Sequence, residues 1–181
     1  MIVKTGRFGQ LTVEDQEIIT IPAGVLGFPE FKKFCLVDPG DDTLIIWLQS
    51  VENPDVAFAL LEPKILKPEY TARLSAAELR ELKLENVNQS AVFSILTIGE
   101  DVAQMTANIK APLVINLKEK IARQVVLQEN EYSIKHPMFK ELRTHLMTIN
   151  AAKKTSSDVR GTSIVDIAHI PPSLTVRSLQ P

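Results

Sequence analysis

Cysteine is nearly absent from this sequence, since Cys35 is the only one among 181 residues. No internal disulfide can form, so a secreted fold held together by disulfides is excluded. The chain also lacks an uninterrupted apolar run of about 18 residues, so no segment is predicted to span a membrane. The stretch from Met1 to Arg7 has neither the apolar core nor the cleavage site of a secretion signal. We therefore expect a cytoplasmic protein that does not contact a membrane.

An excess of positive charge is missing as well. Twenty Lys and Arg oppose 22 Asp and Glu, for a net charge of −2, whereas nucleic-acid-binding proteins usually carry a basic excess on one face. The aromatic residues, 7 Phe, 2 Tyr and 1 Trp, lie mostly in apolar runs, where packing explains them better than base stacking. We expect no direct nucleic-acid partner.

The acidic residues are unevenly distributed along the chain. Residues 1–70 carry 11 acids and 6 bases, whereas residues 71–181 carry 11 acids and 14 bases. An acidic N-terminal part suits a basic partner and repels RNA. The other interpretation is an ordinary solvated surface.

Patterns that support catalysis or metal binding are also lacking. Two of the three histidines, His136 and His145, are nine positions apart, which places them on opposite faces of a continuous helix, and His169 is far from both in sequence. No Gly-x-Ser-x-Gly nucleophile motif occurs, and Gly6-x-x-Gly9 lacks the lysine and third glycine of a phosphate-binding loop. Cys35 lies in an apolar run, which favours a buried thiol over a reactive one. We expect no enzyme, no metal and no cofactor.

The sequence is rich in short apolar runs of Ile, Val, Phe and Thr, the composition of β-strands. The runs at 44–48 and 56–61 are apolar at consecutive positions, which indicates strands buried on both faces. Short connections favour hairpins, and closure into a barrel removes exposed sheet edges. The fold is therefore predicted to be mainly β, a single antiparallel β-barrel-like domain with one or two short helices and a C-terminal extension. The predicted strands are residues 2–5, 18–21, 34–38, 43–48, 56–62, 91–98, 105–109, 113–116 and 124–127.

Two helices are predicted. Ser75-Ala-Ala-Glu78 is a capping box, and it predicts a helix over 76–83. Pro137 suits a first helical turn, and the apolar residues that follow at spacings of three and four predict an amphipathic helix over 137–149.

The composition changes after residue 149. Residues 151–158 are typical of a flexible linker, and Pro171-Pro172 begins an extended or disordered ending. Between them, residues 163–170 are apolar enough to add a strand to a partner or a second copy; the alternative is a loosely attached tail. We divide the chain into a barrel domain at 1–136, the amphipathic helix at 137–149 and a flexible C-terminal extension at 150–181.

Several motifs occur in order across about residues 2–140. They are Ile21-Pro-Ala-Gly24-Val-Leu-Gly27-Phe28-Pro-Glu30 with Phe34-Cys-Leu; Trp47-Leu48-Gln49-Ser50 with Asn53-Pro54 and Ala57-Phe58; Thr106-Ala-Asn108-Ile-Lys-Ala111-Pro112-Leu-Val-Ile115-Asn116; Arg123-Gln124-Val-Val-Leu127; and Tyr132-Ser-Ile-Lys-His136-Pro137. Together these motifs resemble the flagellar assembly factor FliW family.

This resemblance implies an antiparallel β-barrel fold without catalytic activity. Members of the family bind newly made flagellin as chaperones in the cytoplasm. They also bind the translational repressor CsrA, an RNA-binding protein, and keep it off flagellin messenger RNA; flagellin competes for the factor. The resemblance therefore implies flagellin and CsrA as partners, and we expect a monomer. The alternative function is a β-barrel that binds RNA or a small ligand directly.

The resembling segments and the acidic bias give two sets of candidate residues. The structural set, which shapes turns and strand ends, is Gly24, Gly27, Asn108, Pro112 and Asn116. The partner-binding set is Phe28, Asp41, Asp42, Gln49, Ser50, Glu52 and Asp55. For Gln49, Ser50 and Asn108 two roles stay open, satisfying backbone groups or touching a partner.

The sequence departs from the family pattern in two places. Residues after about 140 extend past the resembling region, and if they pack over the binding face they would alter partner choice or hold the protein inhibited. A glycine-containing turn is often seen in the family before the Gln-Val-Val-Leu segment, whereas Glu119-Lys-Ile-Ala122 stands here, which leaves the geometry of that turn open.

Overall fold

Pairing of neighbouring strands builds a closed barrel. A computed structural model describes residues 1–40, 44–156 and 175–177 of the chain. The strands are β1 (Ile2–Thr5), β2 (Gly9–Thr12), β3 (Ile19–Thr20), β4 (Lys33–Asp38), β5 (Ile46–Ser50), β6 (Ala57–Leu61), β7 (Ala91–Thr97), β8 (Thr106–Asn116), β9 (Ile121–Gln124), β10 (His136–Pro137) and β11 (Thr175–Arg177). The helices are α1 (Ala76–Glu81) and α2 (Phe139–Ser156).

The barrel wall consists of seven strands in the order β8-β7-β6-β5-β4-β3-β9, and β9 pairs with β8 to complete the ring. All of these pairings are antiparallel except β3 with β9, which is parallel and joins Thr20 to Ile121. β1 and β2 form a separate two-stranded hairpin. The expectation of a mainly β, antiparallel barrel with two helices is confirmed.

The barrel interior is filled by apolar side chains from every strand of the wall. Alternate residues of β4, Phe34 and Leu36, point inward, where they meet Leu48, Leu60 and Leu113 from other strands; all five are fully buried. This alternation follows from the two-residue period of a strand.

The outward faces are covered as well, by different elements on two sides. The hairpin of β1 and β2, together with β11, covers one side and completes a buried group that we call the outer cluster: Val3, Leu11, Val13, Cys35, Val37 and Val176. On the other side, residues 63–84, residues 125–132 and α2 pack over strands β6 to β8. Both faces of these strands are buried, which explains why their sequences are apolar at consecutive positions.

The capping box of α1 forms as predicted. The Ser75 hydroxyl accepts the Glu78 amide at 3.3 Å, and the Glu78 carboxylate accepts the Ser75 amide at 2.7 Å. The chain reverses after α1 through Lys83, whose φ is 53°. The helix ends at Glu81, two residues before the predicted end.

Strand β8 differs from the prediction, which divided it into two runs. It is one strand of 11 residues, with a shift of register against β7 between Phe93 and Ile95. Pro112, which has no amide to donate, lies within the shifted segment, where a proline is tolerated.

Strand β9 also differs from the prediction: it lies at Ile121–Gln124, earlier than the predicted 124–127. Lys120 precedes it with φ 56°, so a lysine here holds the left-handed conformation that glycine prefers.

The helix predicted over 137–149 is displaced. Pro137 does not begin it: His136 and Pro137 pair with Ala107 and Thr106 of β8, and the helix starts at Phe139 and continues to Ser156. The prediction of a linker at 151–156 is wrong because Ala151-Ala-Lys-Lys154 are strong helix formers. Residues 163–170 lie outside the described part of the chain, whereas β11 lies in the ending that was expected to be extended or disordered. Within the described residues, no helix is long and apolar enough to cross a membrane.

Candidate partner-binding surface

The loop Ile21–Glu30 is shaped by two glycines. Gly24 has φ +72°, and a Cβ there would lie 2.6 Å from the Phe28 carbonyl oxygen and 2.7 Å from Pro29 Cα. Gly27 has φ +88° with open space around it. Only glycine adopts this combination of left-handed backbone and close approach at position 24 without strain, so the motif builds a tight loop that projects Leu26 outward, 58% exposed.

Phe28 is both an anchor and a surface residue. Its ring meets the Phe58 ring edge-on, with centroids 5.2 Å apart, and Phe58 in turn contacts the buried Phe34. The Phe28 side chain nevertheless remains 38% exposed. One part of the ring is therefore fixed to the core, and the rest is available at the surface.

A groove runs between this loop, β9 and α1. The Gln124 side chain fixes its width, since Gln124 Oε1 accepts the Leu26 amide at 3.0 Å and Gln124 Nε2 donates to the Ala111 carbonyl at 2.9 Å. Leu26 and Val126, 58% and 51% exposed, are its apolar rims. We call this the loop groove, lined by Ala23, Gly24, Val25, Leu26, Gly27, Pro29, Glu78 and residues 123–126.

Gln49 and Ser50 lie beneath the surface and hold the turn between β5 and β6. Both are fully buried. Gln49 Nε2 donates to backbone carbonyls that include those of Ser50 at 3.0 Å and Val56 at 3.1 Å. The Ser50 hydroxyl accepts the amides of Glu52 and Asn53, each at 3.1 Å. This geometry favours a structural role for the two side chains over direct contact with a partner.

Glu52 and Asp55 stand on that same turn and are exposed. Glu52 Oε2 accepts the amides of Lys32 at 2.6 Å and Lys33 at 2.8 Å, which ties the turn to the end of the Ile21–Glu30 loop. The Lys33 and Lys32 amides lower the pKa of the Glu52 carboxyl, so this negative charge is retained at neutral pH. Asp41 and Asp42, the other two acids of the predicted set, lie outside the described residues.

Asn108, Pro112 and Asn116 lie in β8 and are not among the residues that line the loop groove. Asn108 Oδ1 accepts the Ala111 amide at 2.9 Å inside the register shift. Asn116 is buried and bonds to backbone groups on both sides of its amide. The Pro112 carbonyl accepts the Val125 amide at 2.9 Å. All three hold backbone in place.

The described residues show little that would support a reactive thiol or a metal site. Cys35 is fully buried, and desolvation, together with the charge of Glu17, raises the pKa of its thiol to about 12, so it stays protonated at neutral pH. No group of three or more His, Cys, Asp or Glu that could hold a metal occurs in residues 1–40, 44–156 and 175–177. What the surface offers is an apolar groove and exposed carboxylates.

Sequence reasoning missed Leu26, Gln124 and Val126 as surface residues. Val126 was assigned to a strand, and β9 ends two residues before it. The available signal was Leu26 between the two glycines of the loop: an apolar residue in a tight glycine loop is often projected outward.

The fold and surface define a class of protein: a small closed β-barrel that presents an apolar groove and, on another turn, exposed carboxylates. A family model described as "FliW protein" matches residues 2–138, and the chain belongs to the FliW family. The chain is 38% identical over 170 residues to the flagellar assembly factor FliW of Bdellovibrio bacteriovorus, an alignment that covers 94% of this chain and 97% of the relative. It is 39% identical over 139 residues to the FliW protein of Geobacter sulfurreducens, covering 77% and 87%.

A solved structure supports the same assignment. The crystal structure of a flagellar assembly factor FliW superposes with a TM-score of 0.71 at 32% identity, and the match covers 77% of this chain and 97% of the other. The chain accordingly has a role in flagellar assembly. The family model ends at residue 138, whereas the Bdellovibrio alignment spans 170 residues, so that relative also matches part of the extension.

Proposed function

We propose that this chain binds flagellin as a cytoplasmic chaperone and binds the translational repressor CsrA, keeping CsrA off flagellin messenger RNA. The two partners compete for the chain, so accumulating flagellin releases CsrA and halts its own synthesis. The chain acts by protein binding and not by catalysis. The observation that carries the proposal is the exposed apolar loop groove on a member of the FliW family.

The loop groove is suited to an apolar segment of another protein. Leu26 and Val126 together expose apolar surface at its rims, and exposed apolar patches bounded by polar residues commonly mark protein-binding sites. The glycine-shaped backbone and the Gln124 bonds hold the groove open before binding, which lowers the entropic cost of association.

The exposed acids suit the second partner. CsrA is an RNA-binding protein, and a surface that binds phosphates attracts carboxylates such as Glu52 and Asp55. Carboxylates beside the RNA site of CsrA would also repel RNA phosphates. The proposal therefore includes an electrostatic component that weakens with salt.

The test for the groove uses two valines of equal exposure. Val126 is 51% exposed in the loop groove, and Val102 is 52% exposed outside its lining. We expect wild-type protein to bind purified flagellin and purified CsrA in calorimetric titrations, and Val126→Asp to weaken one or both at least tenfold while Val102→Asp leaves both unchanged. Binding of neither protein by the wild type would refute the proposed function.

The test for charge uses Asp55→Lys, with Glu100→Lys, another exposed acid, as the control. Glu52 is unsuited because its carboxylate also holds the backbone of Lys32 and Lys33. In a reconstituted translation assay on flagellin messenger RNA, Asp55→Lys should need several times more protein to relieve repression by CsrA. Equal potency of the two variants would remove electrostatics from the mechanism.

A mobility-shift titration with RNA and no CsrA tests the alternative function, a barrel that binds RNA directly. Only a direct RNA binder forms a complex in that assay.

A further inference from the structure

One edge of β4 is covered only in part by the barrel wall. β5 pairs with β4 from Phe34 to Val37, so β3 and β11 both lie along the opposite edge. On that edge β3 reaches only Lys33 and Phe34. The edge from Leu36 to Asp38 therefore projects beyond the end of β3 and has no partner from the barrel.

Residues near the C-terminus fill this gap. β11 pairs in parallel with β4 and places Thr175 opposite Leu36, Val176 opposite Val37 and Arg177 opposite Asp38. Val176 is 6% exposed and belongs to the outer cluster with Val37 and Cys35. The edge thus has both features of a strand-addition site: backbone groups that pair with an added strand, and an apolar pocket for one of its side chains.

The segment that fills the edge is not part of the family domain. The family model covers residues 2–138, and the FliW crystal structure matches only 77% of this chain while using 97% of its own. The family domain is therefore defined without residues 175–177. Without β11 the Leu36–Asp38 edge would be unpaired, and an unpaired edge is a ready template for another chain.

β11 is also placed so that it can be exchanged. The 18 residues from 157 to 174 connect it to α2. Among the described residues it pairs only with β4. Its release would break no strand of the ring. A tethered segment competes with free partners at an effective concentration on the order of millimolar, so a three-residue strand is able to occupy the edge and still yield to a longer one.

From these observations we propose that the Leu36–Asp38 edge of β4 is a strand-addition site for an extended segment of another protein. The segment it accepts has an aliphatic residue between two polar ones, the pattern of Thr175-Val-Arg177. The chain's own β11 occupies the site as a built-in competitor. This site is separate from the loop groove and does not depend on the identity of the partners proposed above.

The test uses the full chain and a fluorescent synthetic peptide with the sequence of residues 171–181. Val176→Asp removes the apolar anchor from the protein's own strand, and Ser173→Asp adds the same charge outside β11 as the matched control. By fluorescence anisotropy, Val176→Asp protein should bind the wild-type peptide at least tenfold more tightly than wild-type or Ser173→Asp protein does. A peptide that carries Asp at the Val176 position should bind none of them.

Cys35 reports where the peptide binds, because it is buried in the same outer cluster. Its reaction with a thiol reagent should be faster in Val176→Asp than in wild-type protein, and the wild-type peptide should slow it again. Equal peptide affinity for the variant and the wild type would overturn the proposal, as would binding that leaves Cys35 exposed. Val176→Ser gives a second variant without a buried charge, checked for folding by circular dichroism. Neither flagellin nor CsrA is used, so failure of the proposed function is scored separately.

Discussion

Asn116, the last residue of β8, makes four hydrogen bonds to backbone groups. Its Nδ2 donates to the carbonyls of Leu82 at 2.9 Å and Lys83 at 3.1 Å, just after α1. Its Oδ1 accepts the amides of Lys118 and Glu119, each at 3.1 Å. One buried amide therefore holds both the end of a helix and the turn between β8 and β9.

Replacing Asn116 should be costly. Asn116→Ala leaves backbone groups of both segments without partners in a site where the side chain is 4% exposed, and each unsatisfied buried group costs about 1–3 kcal/mol. We expect the free energy of unfolding, measured by urea denaturation, to fall by about 2–4 kcal/mol on this basis. Asn130→Ala, at an exposed position, should change it by less than about 0.5 kcal/mol. Equal effects of the two substitutions would contradict the structural role.

Cys35 should make stability depend on alkaline pH. Burial raises the pKa of its thiol in the folded chain from 9.0 to about 12. Because the folded pKa lies above the unfolded one, the protonated thiol contributes fully below pH 9, and the contribution is lost as pH rises toward 12. We expect the free energy of unfolding to fall by up to about 1.4 kcal/mol per pH unit in that window.

The control for this pH dependence is Cys35→Ala, measured between pH 8 and 10 by urea denaturation. Burial also raises the pKa of Tyr70, and burial lowers that of Lys120, but both residues remain in the variant. Their effects therefore cancel in the difference between the two proteins. Stability curves of the same slope for wild type and Cys35→Ala would show that the thiol does not titrate as inferred.

For single residues, the sequence predicts a role well when the contacts of the residue are local. It predicts less well when those contacts come from distant parts of the chain. Ser50 bonds to amides two and three residues ahead, a pattern that a polar residue at a strand end predicts. Leu26 is different: its place between two glycines is a local signal for exposure, but the groove that it borders also depends on a bond from its amide to Gln124, 98 residues away. No local pattern contains that bond, so the loop groove became visible only in the folded chain.

Among the elements, the Ile21–Glu30 loop is the one in which we compare the two demands on a glycine, because Gly24 has both a left-handed backbone and a close approach to Phe28 and Pro29. Gly24 and Gly9 have similar φ values, +72° and +68°, but only at Gly24 would a Cβ meet other atoms within 4 Å. Comparing alanine at the two positions therefore separates the steric clash from the backbone strain that both share.

We expect Gly9→Ala to cost about 1–2 kcal/mol of unfolding free energy, the strain of a left-handed alanine. Gly24→Ala should cost clearly more, because the methyl group would overlap the backbone of Phe28 and Pro29. Gly24→Ala should also weaken binding at the loop groove, since the loop must move. Thermal denaturation and the calorimetric titrations measure both effects. Similar losses for the two variants would mean that the loop relaxes around the added methyl group.

How well sequence predicted each element depended on what stabilises it. Strands β4 and β6 were placed within one or two residues because their own apolar runs define them. β2 was missed because Gly9-Gln-Leu-Thr12 has one buried residue and is a strand mainly through pairing with β1. β10 was missed for a similar reason, since His136 and Pro137 are ordered by β8.

For the whole molecule, the part of the ring with the fewest paired residues is the seam between β3 and β9. A single pair, Thr20 opposite Ile121, joins these strands, with the Thr20 amide donating to the Lys120 carbonyl at 2.8 Å. By contrast, β7 and β8 are paired from Ala91 to Thr97 despite their register shift. Closure also requires residues about a hundred positions apart to meet, which raises its entropic cost.

The barrel should therefore open first at this seam. In native-state hydrogen exchange followed by mass spectrometry, peptides that contain β3 and β9 should exchange through local opening at a lower free energy than peptides from β7 and β8, which should require global unfolding. Thr20→Pro removes the amide that donates across the seam and should increase exchange in β9 much more than in β7. Thr12→Pro, a change at the end of the separate hairpin, should leave β9 unaffected. If β3 and β9 exchange as slowly as β7 and β8, packing of the apolar interior stabilises the seam more than the single backbone pairing of Thr20 with Ile121 does.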